Sequence, residues 1–288
     1  MPSPHSEGKS ESCRELPMKK HLSTILLVLI FFVGLSVLLY PSISNYWNSR
    51  VQSRAIVDYE AVLQNLDTED YTKEFAAADQ YNVKLRQISF PLMNYKQVDG
   101  YEDILNVSQN GIIGYIDIEK IKVELPIYHG TSDPVLNVAA GHLEGTSFPV
   151  GGESTHAVLS AHRGLPSAKL FSDLDKLDEG DTFTITVLNQ VLTYEVDQIR
   201  IVLPNEVEDL YVTDGEDYCT LVTCTPYGIN THRLLVRGTR IENAAEKPMI
   251  FVPNEAYRID PIIVTPAVAA PMLLIALIVL MVKYRKKR

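Results

Sequence analysis

The order of apolar and polar positions divides the chain into distinct stretches. Residues 22–40 and 261–282 form two uncharged runs rich in Leu, Ile and Val. Each is close to the ~20 residues that a helix needs to cross a bilayer. Between 51 and 87, Ala55, Ile56, Tyr59, Val62, Leu63 and Leu66 recur at spacings of three and four, and no proline intervenes. That spacing predicts one continuous helix. Phe90-Pro91 breaks the pattern, and residues up to 110 are mixed and polar, as in a surface segment.

From Gly111 the period becomes two. Residues 115–118, 121–125, 182–187, 191–196, 199–203, 218–224 and 234–241 read as short strands, as does the short, nearly apolar run 157–161, with 182–187 and 191–196 joined as a hairpin. A small helix is expected over 168–177, capped by Ser167. About eight strands with little helix predict a mainly β domain, a barrel or a sandwich. Closure into a barrel would remove exposed strand edges.

Charge adds a topology. The chain has 288 residues and a formal net charge of −10. Residues 1–21 carry +1 and the tail 283–288 carries +5, which leaves −16 for the middle. An acidic middle gives no electrostatic support to nucleic-acid binding. Lys19 and Lys20 precede the first apolar run, and Arg285, Lys286, Lys287 and Arg288 follow the second. Basic flanks stay in the cytoplasm, so both ends are expected inside, with one loop outside the cell between two spans. The first run exceeds the usual apolar core of a signal peptide, and Ser42-Ile43-Ser44 is a weak cleavage site. An uncleaved anchor is expected, with cleavage as the alternative.

Three cysteines, Cys13, Cys219 and Cys224, are too few and too odd for a disulfide framework. Cys219 and Cys224 lie in one predicted strand. Five strand steps span about 16 Å and point the side chains to opposite faces, beyond the ~7 Å reach of a disulfide. A free thiol outside the cell is unusual enough to suggest chemistry. Cys224 ends its strand before Thr225-Pro226-Tyr227-Gly228, where a ligand can reach it; the alternative is a buried cysteine acting as a small hydrophobe. His162 follows another strand end and could serve as acid and base, although His129, His142, His156 and His232 compete with it on position alone. Arg233 begins a strand and could hold an oxyanion, or could be a solvated arginine. No Cys-x-x-Cys, His-Glu-x-x-His or phosphate loop is present, and neither metal nor cofactor is expected.

Thr220-Leu221-Val222-Thr223-Cys224 resembles the Thr-Leu-x-Thr-Cys signature of the sortases, with Arg233 downstream and Ser160-Ala161-His162-Arg163-Gly164 as the upstream histidine motif. The likeness runs from about 111 to 241. It is closest to class C, the pilin-polymerising sortases of Gram-positive bacteria, through Cys224-Thr225-Pro226-Tyr227-Gly228, Asn230-Thr231-His232-Arg233 and Gly141-His142-Leu143-Glu144-Gly145-Thr146. The resemblance implies a closed eight-stranded barrel at 111–245 and a helical, altered-lid region at 41–110. A linker at 246–260 would lead to the second span. It also implies His162, Cys224 and Arg233 as catalytic residues and Thr223 as a substrate contact. Class C enzymes carry an Asp-Pro-aromatic lid motif, which is missing between 71 and 110.

The activity implied is transpeptidation. A Leu-Pro-x-Thr-Gly-like sorting signal is cut between Thr and Gly, and the Thr is joined to a Lys amine of a pilin. An unperturbed thiol, with a pKa of about 8.5, is only slightly ionised at neutral pH. The alternatives are a sortase that anchors proteins to peptidoglycan and a non-catalytic scaffold tethered to the bilayer.

Overall fold

The computed structural model describes residues 19–243 and the isolated helical positions Pro271, Leu274 and Ile278. The expected linker at 246–260 lies outside the described residues, as do the remainder of the expected second span and the basic tail. The chain divides into two compact units, residues 1–40 with 259–288, and residues 41–258. A first helix, α1 (Lys19–Leu63), contains one stretch apolar and long enough to cross a membrane, none of it buried.

The single helix expected over 51–87 is two helices. α1 ends at Leu63, and α2 (Thr68–Arg86) starts afresh. The break needs no proline because Asp67 caps α2. Its carboxylate accepts from the Glu69 and Asp70 amides at 2.8 and 3.0 Å, and Asp70 accepts from the Asp67 amide at 3.2 Å. These bonds satisfy amides that the first turn would otherwise leave unpaired.

Eight strands follow: β1 (Ile112–Ile118), β2 (Val123–His129), β3 (Ala140–His142), β4 (Thr155–Ser160), β5 (Thr182–Val187), β6 (Gln190–Val202), β7 (Asp217–Thr225) and β8 (His232–Ile241). They close into a barrel in the order β1-β2-β3-β4-β7-β8-β6-β5. The β2·β3 and β4·β7 pairs are parallel and the rest antiparallel. Ile116, Ile127, Leu159, Ile185, Leu221 and Val236, from six different strands, are fully buried. Each such side chain contributes about 2 kcal/mol through burial.

Two expected strands, 191–196 and 199–203, are one strand. β6 runs through a bulge between Val196 and Gln198 that shifts its alternation by one residue. β3 has only three residues, too few to show a period. Its Gly141 leaves room for the chain alone, since a Cβ there would lie 2.3 Å from Gly130 O.

The helix expected at 168–177 is absent. A single 3-10 turn, Leu174–Lys176, stands in its place. The Phe171 amide donates to His162 O at 3.2 Å, so a long-range partner takes the bond that a helix would use. Ala168, Leu170, Phe171, Leu174 and Leu177 all enter the core.

Residues 88–110 are also not a plain surface segment. A short helix, α3 (Pro91–Asn94), is followed by Val98, Tyr101 and Leu105, all buried. The Tyr59 hydroxyl on α1 donates to Ile113 O at 3.2 Å and accepts from Leu188 N at 3.0 Å, tying the helix to β1 and to the end of β5.

Tyr101 also meets the fully buried His142. The His142 Nε2–H donates to Ser147 O at 2.8 Å, and Nδ1 accepts from the Tyr101 hydroxyl at 2.9 Å. Burial drives the His142 imidazole down to about 4, against the pull of the Ser147 carbonyl, and burial lowers His156 as well. The folded value is below the ordinary 6.5, so the unfolded chain takes the proton first. Stability therefore rises with pH between about 4 and 6.5, by on the order of 3 kcal/mol from His142 in all. Urea midpoints measured from pH 7 to pH 4.5 should fall, and the slope should be shallower in His142→Gln than in the parent.

Candidate active site

Cys224 is the next-to-last residue of β7 and Arg233 the second of β8. They are directly opposed across the antiparallel pair, so their side chains share one face of the sheet. β4 runs parallel to β7 on the other side, with Ser160 level with Val222. Continuing that register two residues brings His162 level with Cys224. Two bonds hold it there: the Ala161 amide donates to Val222 O at 3.2 Å, and the Thr223 hydroxyl donates to Ala161 O at 2.8 Å. The three expected residues thus come from three adjacent chain segments. His162, Cys224 and Arg233 are all half-buried, open enough for a substrate and shielded enough for directed charge to matter.

Thr223 takes a different place from the one expected. It is 2% exposed, and its hydroxyl is occupied by Ala161 O. Its side chain orders the histidine loop instead of facing a substrate. Cys219 lies one face away from Cys224 on the same strand, fully buried and free, and burial pushes its thiol well up. It stays protonated and inert, while Cys224 is the accessible thiol. The Arg233 Nη1 donates to His232 O at 3.1 Å and to Asn230 O at 3.4 Å, which anchors the guanidinium at the mouth of the β7–β8 loop. Among the described residues no group of His, Cys, Asp and Glu could hold a metal ion.

The face that carries Cys224 and Arg233 continues into an apolar strip. Val222 and Leu235, the next outward positions on β7 and β8, cluster with Val158, Val202 and Leu210. Leu92, Leu143 and Val207 pack onto this strip. Leu92 comes from α3, so part of the region before the barrel lies over the outer face. Its fit is tight at Gly145, where an added Cβ would lie 2.7 Å from both Leu92 Cα and Pro91 O, at a φ of +87°. A cavity of about 240 Å³ opens beside this covering segment, between Pro91, Gly145, Thr146, His156, Leu210 and Asp214. Cys224 does not line it.

The loop after His162 is also fastened to α1. The Asn48 Nδ2 donates to Ser167 O, and Asn45 Oδ1 accepts from the Lys169 amide, both at 2.8 Å. Sequence reasoning gave no role to these two asparagines, because the contact spans more than a hundred positions.

A thiol, an imidazole and a guanidinium at neighbouring strand ends of a closed barrel suit acyl transfer through a thioester. The family comparison agrees: the Sortase domain model matches residues 116–241. Sortase C1 of Streptococcus agalactiae is 49% identical, with a TM-score of 0.61, over 66% of this chain and all of that one. Sortase C of Streptococcus pneumoniae is 43% identical, with a TM-score of 0.58, over 67% of this chain and 99% of that one. A curated relative, sortase A of Streptococcus agalactiae, is 35% identical over 40% of this chain and 47% of its own length. The chain belongs to the sortase family of cysteine transpeptidases. Within that family its solved neighbours place it with the class C sortases.

Two measurements check this geometry. In a Cys13→Ser background the folded protein should take up one equivalent of iodoacetamide, at Cys224, and a second, at Cys219, only in denaturant. Gly145→Ala should push the Pro91–Leu92 backbone off the barrel, read as faster amide exchange over residues 88–98 with slow exchange kept in β7.

Proposed function

We propose that this chain polymerises pilins. Cys224 attacks the Thr carbonyl carbon of a Leu-Pro-x-Thr-Gly-like sorting signal, and the Thr–Gly bond breaks as His162 protonates the leaving Gly amine. A Lys amine of a second pilin then attacks the thioester, its proton passes to His162, and the Cys224 thiolate leaves, which restores the starting thiolate and imidazolium. Splitting one difficult exchange into two easier steps is the purpose of the covalent intermediate. Arg233 stabilises the negative charge that builds on the carbonyl oxygen in each step. The observation that supports the reading is the pairing of Cys224 with Arg233, together with a β4–β7 register that, continued past Ser160, puts His162 level with Cys224. Identity to the pneumococcal sortase C, a structure described as bearing on pilin substrate specificity, supports pilin as the substrate.

The setting follows from charge and hydropathy. The first apolar helix anchors the enzyme, residues 261–282 cross back, and the barrel works outside the cell with both ends in the cytoplasm. The segment around α3 acts as an altered lid in which Leu92 occupies the apolar strip. Similarity to sortases A keeps a second acceptor open, a peptidoglycan amine, which the same experiment separates.

Wild type and Cys224→Ala, each with a pilin carrying its sorting signal, are compared by mass spectrometry and denaturing gel. Wild type should give a thioester adduct and a ladder of multimers, and the variant neither. An adduct without multimers would point to the peptidoglycan amine; multimers from Cys224→Ala would overturn the mechanism. Arg233→Ala should cost roughly 3 kcal/mol in the acylation barrier, about a hundredfold in rate.

A further inference from the structure

The residue after His162 is built into the barrel in an unusual way for an arginine. The Arg163 side chain is 8% exposed. Its Nη1 donates to Thr225 Oγ1 at 3.2 Å, and its Nη2 pairs with Asp175. Thr225 is buried and directly follows Cys224. Asp175 sits on the 3-10 turn whose neighbour Leu174 is in the core. One guanidinium therefore links the exit of β4, the end of β7 and a surface turn anchored in the core by Leu174. Its Nε is buried with no hydrogen-bond partner. An unpaired buried donor lowers stability, so packing alone does not explain why a charged group sits here.

The arrangement around it is paired. Thr223 donates to Ala161 O on one side of the two central residues, and Arg163 donates to Thr225 on the other. The β4–β7 register, continued past Ser160 and Val222, matches positions 161, 162 and 163 with 223, 224 and 225. The first and last rungs are hydrogen bonds, and the middle rung is His162 beside Cys224. Past the last rung the Gly164 amide donates to Ser172 Oγ at 3.1 Å, and the Tyr227 ring closes over Gly164, where a Cβ would meet it at 3.1 Å. A loop without regular structure is thus clamped on both sides of the imidazole.

We propose that Arg163 is a positioning residue for the acyl transfer. It holds the His162 imidazole at the height and angle of the Cys224 thiol through Thr225, with Asp175 fixing its own orientation. This rests on the reading of His162 and Cys224 as the reacting pair. Glutamine would lose the ion pair, and lysine, with one nitrogen, could keep Asp175 but not Thr225 as well.

The test uses the full-length chain in detergent with a fluorescent Leu-Pro-x-Thr-Gly peptide, following kcat, KM, thermal midpoint and the pH dependence of Cys224 alkylation. Arg163→Gln should lower kcat by about tenfold to a hundredfold, as a small misplacement of a reacting group does, with KM within about twofold. Its alkylation profile should move toward that of His162→Ala, a change that lost packing alone would not produce. Arg163→Lys should fall between Arg163→Gln and wild type, and it carries the test should the glutamine variant fail to fold. Thr225→Val should mimic Arg163→Gln, and the double variant should be no worse than either single one. Wild-type kcat in Arg163→Gln, or a lowered kcat with an unmoved alkylation profile, would overturn the inference while Cys224→Ala remained inactive. Activity in Cys224→Ala would instead bring down the reading of the site itself.

Discussion

The parallel pairing of β4 with β7 is the constraint on which the site depends. Ala161 and Thr223 are 62 positions apart, yet the ladder from Thr155–Asp217 to Ser160–Val222 sets them side by side. A parallel pair needs a crossover, here the β5–β6 hairpin and its flanking loops, and that loop must close before the pair yields any contact. The reward is a rigid register. Once β4 and β7 are aligned, the residues just past their ends have little freedom in height, and the antiparallel β7·β8 pair fixes Arg233 by the same rule.

The helices before the barrel complete what the strands cannot. The inner face of the sheet is filled by its own side chains, but the outer face at β4, β7, β8 and β6 would expose Val158, Val222, Leu235 and Val202. An exposed apolar strip invites a partner. Leu92, Leu143, Val207 and Leu210 cover it, and α1 and α2 join the main core through Tyr59, Tyr81 and Leu85. The strip and the reacting groups share one surface, so whatever lies on the strip also sets how much of the approach to Cys224 is open.

Much of this was legible in residue order. Period-two alternation, with one short apolar run for β4, located seven of the strands, and the three motifs fall at or just past strand ends. Where legibility failed, a distant contact had replaced a local rule. The residue 168–177 segment has helical composition, but the Phe171 amide is taken by His162 O. β6 looked like two strands because one bulge resets its alternation. The break between α1 and α2 was written in Asp67 and Asp70, although a reading that looks for proline passes over it. Tyr101, within a segment read as surface, and Thr223 are buried for a common reason: a polar atom that finds a carbonyl or an imidazole can be buried, and nothing local announces that partner.

The separation of Cys219 from Cys224 has a consequence for durability. The first oxidised form of a thiol that meets peroxide, a sulfenic acid, is recovered when a second thiol condenses with it. Cys219 could supply that thiol only by reaching through the sheet to the opposite face. Within the barrel, oxidised Cys224 has no resolving partner. Its repair must come from a reductant that enters by the same opening as the substrate, so an enzyme already loaded as a thioester is shielded from damage and an idle one is not.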